Sequence, residues 1–436
     1  MRIHISLLVP VLATMLAAQA KDDPAAQLAA KEKAAKTAQA LCDAADFARD
    51  NGLTTDWRRL LTRALAVDAN HERANLAVGN VKHDGRWMSP LKAEILANTA
   101  KGLVSVNGVW VPEADAESAR LGVFKFAGDI VSRAEFIALT AGQKRHPRTG
   151  ELIGAEHLEQ AKNNMFPTDA GTWVDEAEAN QLHARTASPW IVRTKTCLVV
   201  SNMQLKDIEV QAQQYVDDAV TMAAGAFGAS LAPGQRPVLM LTDSPERFRD
   251  IGAQIGGASS AYGGFLADGT INLPGIGVQR PAVALLDANW GAYYVKHAAG
   301  VAVAHTVGAG GLPAWMVSGV GSYAERFYSA DIANWFGKQY LAAGGLTDLT
   351  GWFETFGISG DMDHGTMGRH LFQAGLLIAF CRHSGNDAAR KSLDAVGAAL
   401  ASGETPAIQA SIGALESLLE RESTAIRAYL KTLTQG

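Results

Sequence analysis

The stretch from residue 297 to residue 305 constrains the fold most, because it is an apolar run with helical character. It reads HAAGVAVAH, with His297 and His305 at its ends and only Ala, Val and Gly between them. A helix that is apolar on every side has to be buried inside a domain. The chain has 436 residues, 48% of them hydrophobic and 19% charged, so it is long enough for two or three globular domains with such an interior.

A motif follows this run. Residues 312–323 read LPAWMVSGVGSY. The segment resembles the second active-site helix of gluzincin-type zinc peptidases and of the peptidase-MA-like proteins, which opens with a pattern close to L-P-x-W-L-x-E-G-L-A-E-Y. Ser318 stands where the resemblance implies a glutamate ligand, and Ser322 replaces the second acidic residue. Residues 297–301 lie at a suitable distance to be the counterpart of H-E-x-x-H, of which only His297 is present.

Zinc chemistry depends on the residues that have been replaced. In H-E-x-x-H, two histidines one helical turn apart bind the same ion, and the glutamate polarises the bound water. Ala298 and Val301 stand in the places of that glutamate and the second histidine. His305 lies roughly 12 Å along the helix from His297, too far to share an ion whose ligand bonds are about 2 Å. We therefore predict a core helix without catalytic zinc, and residual or rearranged metal binding remains the alternative. We call His297, Ala298, Val301, Ser318 and Ser322 the vestigial positions.

The N-terminus has the pattern of a secretory signal peptide. Arg2 precedes an apolar run from Ile5 to about Ala17, and residues 18–20 form a small-x-small cleavage site. We expect residues 1–20 to be removed and the mature protein to be secreted or periplasmic. The apolar run is shorter than the roughly 20 residues that a membrane span needs, so no stable span is expected after signal removal.

Charge and cysteine content argue against a nucleic-acid-binding protein and against a zinc-knuckle or thioredoxin-like protein. The formal net charge is −5, and the chain has no basic cluster, so nucleic acid is not an expected partner. Cys42, Cys197 and Cys381 are scattered without C-x-x-C spacing. We expect buried free thiols, although one pair could form a disulfide bond in an exported protein.

The N-terminal part reads as three successive segments. Residues 21–50 are rich in Ala, Lys and Asp and are expected to be an exposed helix or leader that contributes little core. Residues 57–81 have the helical periodicity of a tetratricopeptide-like hairpin, and we assign residues 21–82 to one helical region. Residues 83–186 form a second region, which contains three related phrases.

Each phrase has Asp or Asn, then Gly within two residues, and then x-Trp-Met/Val. They span residues 83–88, 106–111 and 169–174. Asn-Gly and Asp-Gly favour tight hairpin turns, so a turn, a short strand and a helix start are expected in each phrase. The Trp is expected to anchor each small unit by packing. An exposed Trp trio could instead bind carbohydrate or peptide.

Residues 187–436 read as a separate α+β domain. A β-prone run at 190–200 is followed by alternating helices and short strands as far as residue 286, and then by helices to the C-terminus. The peptidase-like resemblance implies a twisted sheet followed by a helical lobe. The fold class is therefore predicted as α+β, with a gluzincin-like C-terminal domain.

Other candidate sites are weaker. Ser318 and Ser322 do not fit G-x-S-x-G, which argues against a serine hydrolase. Residues 361–364, DMDH, could bind calcium or zinc in a loop, but a solvated loop is the preferred interpretation. Glu325 is expected on a helix surface and is not counted as a ligand.

Three functions remain open. The first is a secreted pseudo-peptidase without catalytic residues or cofactor, which has a binding or structural role in the cell envelope. The second is a zinc-dependent metallopeptidase with rearranged ligands. The third is an envelope interaction module that acts through its Trp hairpins. The partner would be an unidentified protein, a peptide or an envelope component.

Overall fold

The structure is a computed structural model that describes most of the chain. It covers residues 23–120, 122–185, 188–228, 236–255, 265–266, 270–273, 277–287, 289–308, 311–358 and 362–435. The predicted signal peptide lies outside the described residues. The chain divides into two compact units, Met1–Glu117 and Ser118–Gly436. The region boundaries predicted at 82/83 and 186/187 stay predictions.

The first unit begins with a small helical core. Its helices are α1 (Pro24–Ala34), α2 (Ala38–Asp50), α3 (Thr54–Val67) and α4 (Glu72–Ala77). Leu28 and Leu41 are buried together with Leu60 and Leu61 in one hydrophobic cluster. The expectation that residues 21–50 contribute little core is therefore wrong. Small alanines on one face of α2 allow that helix to approach α3 closely, so few large side chains are needed.

Five β-hairpins, each followed by helical residues, come next. Their strands are β1–β2 (Val81–His83, Arg86–Met88), β3–β4 (Leu103–Val106, Val109–Pro112), β5–β6 (Phe124–Phe126, Asp129–Val131), β7–β8 (Lys144–Arg145, Leu152–Ile153) and β9–β10 (Met165–Pro167, Trp173–Asp175). The helices are α5 (Pro90–Thr99), α6 (Ala116–Arg120), α7 (Arg133–Thr140), α8 (Leu158–Lys162) and α9 (Glu176–His183), with short 3₁₀ turns before α6 and α8. Successive hairpins start 20 to 22 residues apart.

The five hairpins share a glycine rather than a tryptophan. Each turn contains a glycine with φ between 71° and 90°, followed two residues later by Trp, Ile or Leu and then by Met, Val or Ile; these are Gly85, Gly108, Gly128, Gly150 and Gly171. Glycine adopts such left-handed φ values without steric cost, because it has no Cβ. The turns and strands predicted for the three Trp-bearing phrases are present. The hairpins at 124–131 and 144–153 were not predicted, because Ile130 and Leu152 stand in the place of the Trp.

The hairpin tryptophans are half-buried. The indole Nε1 of Trp110 donates to Glu94 Oε1 at 2.7 Å, and the Trp173 ring lies 5.1 Å from that of His157. In the second and third hairpins the residue after the aromatic or aliphatic position is the buried one, since Val111 and Val131 are each 1% exposed. In these two hairpins the buried anchor is therefore the valine that follows the aromatic or aliphatic position.

The second unit contains a five-stranded mixed sheet. Its strand order is β11 (Trp190–Arg193), β12 (Leu198–Ser201), β13 (Val238–Thr242), β17 (Ala282–Leu285) and β14 (Phe265–Leu266), and β12, β13 and β17 run parallel. A further pair is formed by β15 (Ile271–Leu273) and β16 (Gly277–Gln279). Between β12 and β13 lie α10 (Leu205–Gln211), a π turn (Ala212–Val216) and α11 (Asp217–Gly225), and α12 (Pro245–Ile255) follows β13. The fold is α+β, as predicted.

Alternate residues of the central strands face two cores. Val199 and Leu239 belong to the large core that includes the apolar run after His297. Val200 and Met240 point the other way and pack with Phe248 of α12. This alternation follows from the two-residue period of a β-strand.

The β-prone run 190–200 forms a hairpin instead of one strand. Its turn is fixed by Asp217, whose Oδ1 accepts hydrogen bonds from Thr194 Oγ1, Thr196 N and Thr196 Oγ1. Cys197 Sγ lies 3.1 Å from the carbonyl oxygen of Pro237. Threonines favour a strand, so residues 190–200 alone do not predict a turn. The turn depends on the carboxylate of Asp217, which is distant in the sequence.

The remainder of the described chain is helical. The helices are α13 (Gly291–Gly308), α14 (Ala314–Arg326), α15 (Ala330–Ala342), α16 (Trp352–Thr355), α17 (His364–His383), α18 (Asp387–Ser402), α19 (Thr405–Arg421) and α20 (Ser423–Leu433). Helices α19 and α20 are separated at Glu422. None of the helices in the described ranges has the length and apolar character needed to cross a bilayer. The three cysteines are free and buried.

Candidate functional site

Helices α13 and α14 are in contact through two glycines. A Cβ on Gly300 would lie 2.8 Å from the Cα of Gly321 and 2.8 Å from the carbonyl oxygen of Val320. A Cβ on Gly321 would lie 2.8 Å from Nε2 and 2.9 Å from the carbonyl oxygen of His297. Such distances are too short for any larger residue without a backbone shift, so the glycines determine how closely the two helices approach.

His297 is held by a carboxylate from the facing helix. Its Nδ1 lies 2.7 Å from Oε2 of Glu325, and Nδ1–H therefore donates to the carboxylate. The other carboxylate oxygen lies 3.2 Å from Nε of Arg326, and Arg326 Nη1 donates to the carbonyl oxygen of Gly368 at 3.1 Å. His297 is fully buried, and Glu325 and Arg326 are each 2% exposed. The three side chains form a buried charged cluster, which we call the His297 cluster.

The charge state of Glu325 follows from its partners. Burial alone would raise the pKa of the Glu325 carboxyl, because it penalises the charged form. The charge of Arg326 and the hydrogen bond from His297 outweigh burial and hold that pKa below its usual value. Glu325 is therefore ionised at neutral pH and balances the charge of Arg326.

The position of Glu325 corrects the expectation that it lies on a helix surface. Helix α14 is covered by α13 on one side and by α17 on another, where a Cβ on Gly319 would lie 3.0 Å from the carbonyl oxygen of Ala374. A charged residue seven positions beyond Ser318 on such a helix can be buried only with partners. The sequence contained a signal for this burial. One histidine lies in the segment that forms α13, and two consecutive charged residues, Glu and Arg, lie at the end of the segment that forms α14.

The vestigial positions do not all face the same neighbours. Ala298 and Val301 are buried in the large core, and Ser318 is half-buried. Ser322 is fully buried, and its Oγ would lie 2.6 Å from a Cβ on Gly375 of α17. Among the described residues, none provides a hydrogen-bond partner for the Oγ of Ser322. Of the five vestigial positions, His297 alone belongs to the His297 cluster.

Metal-ligand groups are scarce in the described ranges. Among those residues, no three His, Cys, Asp or Glu side chains converge closely enough to hold a metal ion. His305 is 6% exposed and lies two turns beyond His297 on α13. In the predicted DMDH loop, Asp361 lies outside the described residues, and the Oδ1 of Asp363 accepts from the backbone N of Thr366 at 2.9 Å as the N-cap of α17. Asp363 thus has a capping role.

Two aromatic residues of the peptidase-like motif anchor α14. Trp315 is fully buried, its Nε1 donates to Glu416 Oε1 at 2.7 Å, and its ring lies 5.1 Å from that of Phe353. The hydroxyl of Tyr323 lies 2.7 Å from Nε2 of His383, and burial raises the pKa of Tyr323 to about 12. Tyr323 is therefore a neutral structural hydrogen-bonding group at physiological pH.

Comparison with known proteins adds no assignment: no family model matches the chain, and no solved structure gives a significant match. Function is therefore inferred from the residues and their geometry.

Proposed function

We propose that this chain is a secreted, non-catalytic member of the peptidase-MA-like group with a binding or structural role in the cell envelope. The observation that supports this best is the pairing of His297 with Glu325 at 2.7 Å in a fully buried setting. The one imidazole that remains from the motif is used for helix packing and charge balance. Secretion is proposed from the N-terminal sequence alone.

The packing around His297 also argues against catalysis. A catalytic zinc site needs three protein ligands, an open position for water and a base. Ala298 and Val301 provide neither ligand nor base, and the Nε2 side of His297 faces Gly321 across the close helix contact. An ion and a substrate would need space at the point where the two helices are in contact through Gly300 and Gly321.

A zinc peptidase with rearranged ligands is the second candidate, and one observation favours it. Zinc-binding histidines usually donate their other ring N–H to a carboxylate, which fixes the ring for metal binding. The Nδ1–Glu325 hydrogen bond is an arrangement of this kind. Metal binding at Nε2 would require α13 and α14 to move apart at Gly321.

The third candidate is an interaction module that acts through the hairpin tryptophans. The recurrence of the hairpins every 20 to 22 residues favours it. Trp87, Trp110 and Trp173 are half-buried, which leaves less of each ring available than an exposed trio would. We therefore rank it below the pseudo-peptidase.

Metal content separates the first two candidates. The mature protein, residues 21–436, would be purified without chelator, analysed for zinc by mass spectrometry and assayed on casein with and without EDTA. We expect substoichiometric zinc and no EDTA-sensitive hydrolysis. Stoichiometric zinc, together with hydrolysis that His297→Ala abolishes and Glu416→Gln leaves intact, would establish the rearranged enzyme.

The resemblance itself has a separate test. Ala298→Glu, Val301→His and Ser318→Glu together should restore the motif, so the triple variant should bind zinc if these positions correspond to those of the peptidases. The matched control is the same triple variant with His297→Ala, which should lose that binding. Zinc binding in neither variant, with both folded by circular dichroism, would contradict the alignment.

A further inference from the structure

Four aromatic side chains meet at the surface of the second unit and form what we call the aromatic platform: Trp290, Tyr293, Tyr328 and Trp335. Trp290 precedes α13, Tyr293 lies in its first turn, Tyr328 follows α14, and Trp335 lies on α15. Trp290 is 42% exposed, Tyr328 41% and Trp335 45%. A contiguous group of large exposed rings marks a binding surface, whereas single exposed apolar residues do not.

The rings of the platform are in mutual contact. The ring centroids of Trp290 and Trp335 are 6.3 Å apart with an interplanar angle of 37°, and those of Trp290 and Tyr293 are 5.6 Å apart. Burial raises the pKa of the Tyr328 hydroxyl, and the nearby Tyr293 raises it further. The ring contacts are therefore continuous from Trp335 through Trp290 to Tyr293, with Tyr328 close to Tyr293.

Buried groups hold the platform in place from below. Phe336 is 8% exposed and contacts both Trp335, at 4.7 Å, and Tyr293, at 5.9 Å between ring centroids. The guanidinium of Arg326 lies 4.7 Å from the centre of the Phe336 ring, so the platform rests on the His297 cluster. The Oδ1 of Asp287 accepts from the backbone N of Trp290 at 3.0 Å. The exposed rings need little ordering when a ligand binds, which favours affinity.

The polar groups around the platform are nearly balanced in charge. Asp331 and Lys338 lie four residues before and three residues after Trp335, on the same side of α15, and both are exposed. Asp287 lies beside Trp290, and the ammonium of Lys296 lies 3.1 Å from the centre of the Tyr328 ring. The charge of Asp218 also acts on Lys296. Three carboxylates and two ammonium groups carry only a single net negative charge. This near balance fits an uncharged ligand better than an acidic or a basic one.

The size of the platform fits a small ligand. Aromatic side chains have roughly 150–250 Å² of surface each, so three rings about 40% exposed offer roughly 200–300 Å². A specific protein interface usually buries about 800 Å² on each partner. The exposed rings therefore suit a ligand of a few rings more than a folded protein.

We propose that the aromatic platform binds an uncharged oligosaccharide by stacking sugar rings on Trp290 and Trp335. The face of an indole ring is electronegative, and it attracts the polarised C–H bonds on the flat face of a pyranose. The hydroxyl groups of the sugar then hydrogen-bond to the rim, where Asp287 and Asp331 provide acceptors and Lys338 provides donors. The inference does not depend on the proposed loss of catalysis, because the platform contains none of the vestigial positions.

Binding is tested on the full mature chain with cello-, malto- and chito-oligosaccharides of three to six units as probes. Tryptophan fluorescence and isothermal titration calorimetry report the association constant. Trp290→Ala and Trp335→Ala should each lower it at least tenfold, and Trp335→Tyr should keep most of it. Leu341→Ala is the matched control, since Leu341 lies on the same helix and is 38% exposed.

Further measurements separate a carbohydrate from other ligands. An uncharged sugar brings no net charge to the rim, so its stacking and hydrogen bonds are screened little by salt, and affinity should change less than twofold between about 0.05 and about 0.5 M NaCl. EDTA should leave it unchanged, whatever the zinc assay shows. No binding of any probe, binding unaffected by Trp335→Ala, or self-association abolished by Trp335→Ala would each overturn the proposal. Thermal melts of the variants should match that of the wild type, because the substituted rings are partly exposed.

Discussion

The Nδ1 of His297 lies 2.7 Å from Oε2 of Glu325, and this contact joins α13 to α14 inside the core of the second unit. The other carboxylate oxygen forms an ion pair with Arg326, so one buried carboxylate lies next to both the imidazole and the guanidinium. Helices that meet through Gly300 and Gly321 thus have a charged hydrogen-bond network next to their closest contact.

Removal of Glu325 should destabilise the protein strongly. Glu325→Ala leaves the Arg326 guanidinium and the His297 ring without their buried acceptor, and breaking a buried ion pair in this way costs about 3–5 kcal/mol. The measurement is the free energy of unfolding in urea. Glu404→Ala, at an exposed glutamate, is the control and should change it by less than about 0.5 kcal/mol. Equal effects of the two substitutions would contradict the cluster.

Stability should depend on pH through the same carboxyl group. The pKa of Glu325 lies below its usual value of 4.5 in the folded state, so the folded protein binds fewer protons than the unfolded chain near that pH. The stabilisation is present above the unfolded pKa and is lost as pH falls through the lower folded pKa. The difference in unfolding free energy between wild type and Glu325→Gln should be constant above about pH 5 and should shrink below about pH 4. A constant difference down to pH 3 would argue against an ionised Glu325.

The contact at Gly321 predicts a sharp difference between two glycine substitutions. Gly321→Ala would place a Cβ 2.8 Å from His297 Nε2 and should cost about 1–3 kcal/mol through overpacking. Gly413→Ala, in an exposed position of α19 with no atom within 4 Å of the new Cβ, should stabilise by up to about 1 kcal/mol. Urea unfolding of both variants checks the opposite signs. Stabilisation by Gly321→Ala would mean that α13 and α14 are not in tight contact.

The last hairpin is predicted to be part of the core that includes the sheet. Phe166 of β9 is 1% exposed, and its ring lies 5.2 Å from that of Trp190 in β11. Phe166→Ala should therefore cost about 3–5 kcal/mol. Ile130→Ala, at a 43% exposed position of β6, should cost less than about 1 kcal/mol. The measurement is the midpoint of thermal unfolding. An unchanged midpoint for Phe166→Ala would show that the hairpin is not part of that core.

Local patterns in the sequence predicted much of the fold. The apolar run after His297 is the buried helix that its composition requires, and Asn-Gly and Asp-Gly mark the first two hairpin turns. Two hairpins were not predicted, because the feature that all five share is a glycine with positive φ, and glycine occurs in many other settings. The turn at 194–197 escaped because Asp217, about twenty residues away, stabilises it.

The candidate site was less predictable than the fold. His297 was identified from its motif, but the burial of Glu325 depends on which helices cover α14, and one sequence does not specify that packing. The aromatic platform was missed for the same reason, since Trp290 and Trp335 are 45 residues apart and belong to different helical segments. Such convergence becomes visible only when tertiary packing is known.

The five hairpins imply an order of events during folding. Val81 pairs with Met88, seven residues away, whereas Leu198 pairs with Val238, forty residues away, in the parallel part of the sheet. Short loops close in microseconds, and long parallel connections are slower because more chain entropy is lost before any contact forms. We therefore expect the hairpins to form early and independently, and the parallel strands to assemble late, which makes the sheet the rate-limiting part of folding.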